Sequence, residues 1–278
     1  MHAGSARDRG RWALVVGALA LGAVSITLAP APVIPGRDRT VAPFLARTDP
    51  RPMTTRRLPD GTTVACAAGA DCAVWAAAMT RAEEALDPLL PARPPVGDVT
   101  VVAPTSVVQA ALLGVAMTAR PAATTLMVDD DLVARGFAPA DQRGRTWIVV
   151  NPDIARAGGD LPTQVLTHEL VHARTRAPEL TGPLWVEEGY AVALTHRALG
   201  PQAGPVRPPS AAGDWPSDRW PPRTTDDYGV AGQIVTDLAA RIGWDGVARW
   251  YAASEAGAGS LAAAGAELTR PDGPAMRG

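Results

Sequence analysis

The stretch His-Glu-Leu-Val-His, residues 168–172, indicates both a fold and a chemistry. On an α-helix, residues four positions apart lie one above the other, so His168 and His172 present two imidazoles on one face, spaced to share a metal ion. Glu169 is rotated about 100° around the helix from His168. Its carboxylate is therefore expected beside the metal, where it can accept a proton from water. A surface helix with two histidines and a glutamate would have the same five residues. The pentapeptide alone therefore does not distinguish a metal site from an ordinary surface helix.

A second stretch offers the carboxylate that such a site lacks. Leu-Trp-Val-Glu-Glu-Gly-Tyr-Ala, residues 184–191, is expected on the next helix, because Gly-Pro pairs at 182–183 and 200–201 mark its start and its stop. A catalytic zinc ion takes three protein ligands and keeps its fourth position open. Glu187 and Glu188 both have apolar helical neighbours, where a carboxylate is costly unless it is paired or bound to a metal. Physical reasoning from the sequence leaves both as candidates for the third ligand.

The two stretches together form a family pattern. An HExxH helix followed by a W-x-x-E-G-x-A helix resembles the gluzincin metallopeptidases, and the chain is similar to their small peptidase-MA-like members over residues 145–255. The resemblance implies one Zn²⁺ held by His168, His172 and Glu188, since the glutamate directly before the glycine is the family's ligand. It also implies that Glu169 is the general base.

The resemblance carries a fold with it. It implies an α+β, zincin-like architecture: a small mixed sheet with an edge strand over the cleft, an active-site helix, and a mainly helical C-terminal part. The strand at residues 145–150 is expected in that sheet, and a free sheet edge offers main-chain hydrogen bonds to an extended peptide. Many gluzincins place a tyrosine near the start of a later helix as a donor to the oxyanion, and Tyr228 stands there.

Some features of related families are missing. The metzincin pattern needs Gly and His three and six residues after the second motif histidine, and Thr175 and Pro178 stand there instead. The thermolysin branch has an Asp four residues after the third ligand, where this chain has Val192. A Gly-x-Met-Glu-Asn strand, which marks aminopeptidases, is also absent, and this favours an endopeptidase.

Composition excludes several other classes. All 26 basic residues are Arg, so chemistry that needs a Lys amine, such as a Schiff base, a Walker A loop or a Ser-Lys dyad, is excluded. The net charge of −2 is spread along the chain, which argues against nucleic acid as a partner.

The amino terminus has the features of an export signal. Arginines at positions 7, 9 and 11 precede an apolar run from Trp12 to Ala29. The run is at the boundary between a long signal-peptide core and a short membrane anchor, and Pro32 disfavours cleavage after Ala31. Residues 1–30 are interpreted as a signal peptide or signal anchor, with the anchor slightly favoured. Either way, the protein is expected outside the cytoplasm, secreted or held to the membrane by this single segment.

The compartment affects how the only two cysteines are interpreted. Cys66 and Cys72 flank a short Ala/Gly segment, and outside the cytoplasm they are expected to form a local disulfide. The alternative is two buried thiols. Closing so short a loop removes little entropy from the unfolded chain, so the expected stabilisation is modest.

The remaining pattern predicts the organisation of the chain. A Pro/Arg-rich linker is expected at 31–52, an N-terminal α/β subdomain at 53–160, a helical zinc-site subdomain at 161–256 and a flexible tail at 257–278. Within the first subdomain we expect a hairpin around Pro-Asp-Gly at 59–61, a helix from Asp71 that stops near Asp87, and strands at 99–103, 124–128 and 145–150.

The expected function is that of an exported or membrane-anchored zinc metallopeptidase that acts on a peptide or protein substrate. A catalytically silent zinc-binding domain at the cell surface is the alternative from another class. A third possibility is a structural module in which the HExxH pattern is accidental.

Overall fold

The structure is a computed structural model that describes residue 51 and residues 53–90, 99–111, 122–175, 182–200, 215–222 and 224–268. All of these residues belong to one unit, Arg37–Gly278. The expected export segment and nearly all of the expected linker lie outside the described residues. Among the helices that the structure does describe, none combines the length and the apolar character needed to cross a bilayer.

Five strands form one small mixed sheet. They are β1 (Thr54–Arg57), β2 (Thr63–Cys66), β3 (Val99–Ala103), β4 (Ala123–Met127) and β5 (Thr146–Val150), in the spatial order β1-β2-β3-β5-β4. The β2–β3 and β3–β5 pairs are parallel, whereas β1 and β4 run antiparallel to their neighbours. All five residues of β3 are buried, as expected for an interior strand that is covered on both faces. The sequence prediction of an α+β chain with a small mixed sheet is confirmed.

The first helix and the hairpin form as their local sequence signals predict. The side chain of Asp60 accepts a hydrogen bond from the Thr62 amide at 3.0 Å in the β1–β2 turn. Helix α1 (Cys72–Leu86) begins after Asp71, whose carboxylate accepts hydrogen bonds from the backbone amides at 73 and 74. It ends before Pro88, whose ring is incompatible with a continuing helix. A disulfide with an S–S distance of 2.10 Å joins Cys66 to Cys72 and ties β2 to α1.

Helices make up most of the rest of the described chain. Between the strands lie α2 (Val107–Ala111), α3 (Asp130–Ala134) and a 3₁₀ turn (Ala140–Gln142), and after β5 come α4 (Pro152–Ala157), α5 (Leu161–Thr175), α6 (Leu184–Leu199) and α7 (Thr225–Ala253). Thr224 and Asp227 form a capping box at the start of α7. Helix α7 is interrupted at Gly243, whose φ of 71° is left-handed, so α7 consists of two helical segments that meet at this glycine.

The described part of the expected flexible tail, residues 257–268, is largely helical instead. A π-helical turn (Ser254–Ala258) leads into helix α8 (Ser260–Leu268). The indole N–H of Trp250 donates a hydrogen bond to the Ser260 carbonyl at 2.9 Å, and Ala263 and Ala264 are buried. Alanines can cover a neighbouring helix without leaving a strong sequence signal, which explains why composition suggested a tail.

Helix α5 lies at the centre of the fold. It packs against α1 and α6 and against strands β4 and β5. Leu166, Leu170 and Ala173, which recur with the helical period on one side of α5, are buried. The indole rings of Trp185 on α6, Trp250 on α7 and Trp215 form a cluster. Through Trp215, the described residues 215–222 pack against these two helices.

Candidate metal centre

Three side chains from two helices converge on one point. His168 and His172 lie one turn apart on α5, with their Nε2 atoms 3.2 Å apart. From α6, Glu188 places its Oε2 atom 3.1 Å from the His168 Nε2 atom and 3.4 Å from that of His172. All three side chains are largely buried but keep some exposure to solvent. The arrangement is a triangle of two nitrogens and one oxygen that faces a single position.

The triangle has the size that a metal ion requires. In a tetrahedral site with bonds of about 2.0–2.1 Å, neighbouring donor atoms lie about 3.3–3.4 Å apart. The three observed separations of 3.1, 3.2 and 3.4 Å are close to that value, and the group could hold a metal ion. Two imidazoles and a carboxylate suit zinc and several other transition metals, so the donor set does not single out zinc.

The structure distinguishes the two candidate glutamates. Glu188 contributes its carboxylate to the triangle, whereas Glu187 is buried elsewhere in the helical part, where its charge acts on Tyr251 as well as on His172. The two residues are neighbours on α6 and therefore point about 100° apart.

The three side chains of the triangle, His168, His172 and Glu188, are electrostatically coupled. Burial would raise the pKa of the Glu188 carboxyl, but the hydrogen bonds to His168 and His172 and the charges of these two histidines together hold that pKa well below its usual range. Burial would lower the pKa of His172, but its hydrogen bond to Glu188 and the charges of Glu188, Glu169 and Glu187 raise it above its usual range. Glu188 is therefore ionised at neutral pH, and a metal ion would compete with a proton for His172.

Glu169 lies beside the triangle rather than in it. Its side chain leaves α5 toward strand β4 and is buried. There its Oε2 atom accepts a hydrogen bond from the hydroxyl of Thr125 at 2.6 Å. This is the placement that the helical rotation from His168 predicts.

Tyr228 lies in the first turn of α7, on the same side as the triangle. Its ring centroid is 6.5 Å from that of His168. Burial raises the pKa of Tyr228 to about 12, together with the charges of Glu188, Glu169 and Asp227. The phenol therefore remains protonated at neutral pH and can donate a hydrogen bond.

One residue near the site was not found from the sequence. Thr125 is a strand residue with no motif around it, and only its place beside α5 shows its contact with Glu169. His196, near the end of α6, is partly buried, and burial and the charge of His168 lower its pKa. Tyr190 on α6 is buried and stacks on Tyr251 with ring centroids 4.3 Å apart.

Comparison of the chain with protein-family models, with curated proteins and with solved structures finds no match.

Proposed function

We propose that the chain is an exported or membrane-anchored zinc metallopeptidase with a zincin-like fold. The observation that carries the proposal is the convergence of His168, His172 and Glu188 on one position, with Glu169 directly beside it. A surface helix with accidental histidines would have no reason to meet a buried carboxylate from the next helix. The resemblance of the two motifs to gluzincins supports the same conclusion.

The side chains have distinct roles in this proposal. His168, His172 and Glu188 would hold the ion, which when bound lowers the pKa of a water molecule to about 7 and polarises the scissile carbonyl. Glu169 accepts the proton of the attacking water and delivers it to the leaving amine. The hydroxyl of Tyr228 donates a hydrogen bond to the oxygen that becomes negatively charged.

The edge of the sheet supports a peptide or protein as the substrate. The backbone N–H groups of Asn151 and Val128 donate to the Ala122 and Arg145 carbonyls, each at 2.9 Å, so residues 122 and 128 bond toward β5. Hydrogen-bonded and non-hydrogen-bonded pairs alternate in an antiparallel ladder. The backbone groups of Ala123 and Met127 therefore face away from β5, on a side of the sheet where the described residues include no strand. An extended peptide pairing there would lie on the strand that contacts Glu169, and such a mode suits an endopeptidase.

The test compares Glu169→Gln with the wild-type full-length chain. With zinc loaded and dye-quenched casein as the probe, we expect the substitution to lower kcat at least about 100-fold while the protein keeps one zinc per chain, because the amide cannot accept the proton. Glu84→Gln, which changes an exposed glutamate on α1, is the matched control and should keep wild-type activity.

The same experiment separates the alternatives. A wild-type protein that binds one zinc ion and cleaves no casein would be the silent zinc-binding domain. If the wild-type protein takes up no metal, the HExxH pattern is accidental and the chain is a structural module.

A further inference from the structure

A hydroxyl from strand β4 holds one oxygen of the Glu169 carboxylate. The Oγ1 atom of Thr125 lies 2.6 Å from Glu169 Oε2, although the two residues are 44 positions apart in sequence. Both side chains are buried, with 7% and 8% of their residue surface exposed. A hydrogen bond to an ionised acceptor in such a place is short and about twice as strong as one between neutral groups.

Among the described residues, two acceptors on Glu169 lie within reach of the Thr125 hydroxyl, which has only one proton. The backbone carbonyl of Glu169 lies 3.2 Å from Thr125 Oγ1, and the carboxylate oxygen is nearer by 0.6 Å. The proton therefore goes to the carboxylate, which is both closer and charged.

Because of this hydrogen bond, the two carboxylate oxygens of Glu169 have different roles. Oε2 is anchored by Thr125, while no donor among the described residues bonds Oε1. The anchor is itself rigid. Threonine has a restricted χ1 angle, and β4 is paired along its whole length with the interior strand β5. One oxygen is fixed, and the other remains for proton transfer.

We propose that Thr125 is a positioning residue that fixes the general base Glu169. This role rests on the proposed peptidase function. Because Thr125 belongs to the strand at the sheet edge, it also links the surface where an extended peptide would pair to the group that accepts the proton.

The kinetic test uses zinc-loaded, full-length protein with dye-quenched casein. Thr125→Val keeps the shape of the side chain and removes the hydroxyl, and we expect kcat to fall about 10- to 100-fold, with KM within about twofold of wild type, since a misplaced base slows the chemical step more than binding. Thr125→Ser, which restores the hydroxyl, should return kcat to within about threefold of wild type.

A matched control removes another buried hydroxyl. Thr195 on α6 bonds to the Ala191 carbonyl at 2.8 Å, and Thr195→Val should leave kcat unchanged. If Thr125→Val cleaves casein as fast as the wild type, or if the serine variant is as slow as the valine variant, the positioning role is overturned.

A second measurement does not depend on activity. In a double-mutant cycle of Thr125→Val and Glu169→Leu, followed by urea unfolding, we expect the two substitutions to be coupled about tenfold in the unfolding equilibrium constant. If the wild type cleaves casein but the cycle shows no coupling and kcat of Thr125→Val is unchanged, only the role of Thr125 fails. If the wild type cleaves nothing, the proposed function fails and this role fails with it.

Discussion

Gly189 lies so close to helix α7 that a Cβ atom placed on it would come within 2.7 Å of the Ala231 carbonyl oxygen. Helices α6 and α7 therefore touch backbone to backbone at the residue that follows Glu188. Tyr228 lies one turn before Ala231 on α7. The glycine thus sets the separation between the helix that carries Glu188, the candidate third ligand, and the helix that carries Tyr228, the candidate oxyanion donor.

Gly189→Ala should force the two helices apart. We expect it to lower the free energy of unfolding by about 1–3 kcal/mol through overpacking, and zinc affinity by about tenfold because Glu188 moves with its helix. Urea denaturation and zinc titration measure the two effects.

A comparison variant tests whether backbone contact is the cause. A Cβ atom on Gly232 would overlap a side-chain carbon of Val192, so Gly232→Ala should be rescued by Val192→Ala. No truncation of a side chain can relieve a clash with the Ala231 backbone. If Gly189→Ala binds zinc as tightly as the wild type, the spacing argument is wrong.

The two histidines of the candidate metal site were predictable because their geometry is local. Two histidines four residues apart lie on one face of any helix, and the Gly-Pro pairs that frame α6 fix where the next helix starts. The strands and α1 were likewise predictable from β-branched runs, the Asp71 cap and Pro88.

Other parts of the site depend on contacts that the sequence does not encode locally. Glu187 and Glu188 have similar apolar neighbours, and only the packed angle of α6 directs one of them to the histidines. Thr125 meets Glu169 because β4 crosses over to the end of the sheet, beyond β5. Likewise, the helical start of the expected tail depends on its packing against α7.

Arg174, in the last turn of α5, pairs with Glu83 on α1 and with Asp87, which directly follows that helix. Its side chain is 3% exposed and contacts the carboxylates of Glu83 and Asp87, whose side chains are 14% and 41% exposed. Arg174→Met should lower the free energy of unfolding by about 3 kcal/mol, because Glu83 would remain buried without its cation. Urea denaturation measures the loss.

Two further variants test that explanation. Arg174→Met combined with Glu83→Met should be more stable than Arg174→Met alone, since no buried charge is then left without its partner. Arg156→Met, which removes an exposed ion pair with Asp153, should change stability by less than about 1 kcal/mol. Equal losses for Arg174→Met and Arg156→Met would contradict the prediction.

Tyr228→Phe should slow the chemical step without loss of metal. Removal of one donor to the oxyanion costs about 100- to 1000-fold in kcat, and zinc stoichiometry should stay at one because the phenol is not a ligand. With a pKa raised to about 12, Tyr228 should not contribute any loss of activity below about pH 10. Tyr190→Phe, in the stacked pair with Tyr251, is the control. A Tyr228→Phe enzyme with wild-type kcat on casein would remove Tyr228 from the mechanism.

Zinc should stabilise the protein more strongly as the pH rises from 6.5 to 8. The pKa of His172 is raised in the folded, metal-free protein, so its contact with Glu188 contributes stability that is fully present below the unfolded pKa of 6.5 and is lost as the pH rises through the folded value. Zinc needs the deprotonated imidazole, so its affinity changes in the opposite direction. The melting-temperature gap between zinc-loaded and chelator-treated protein should therefore widen with pH. The control variant His196→Gln, which changes a histidine outside the triangle, should show the same widening. If the melting-temperature gap of the wild type stays constant or narrows as the pH rises, ligation by His172 is contradicted.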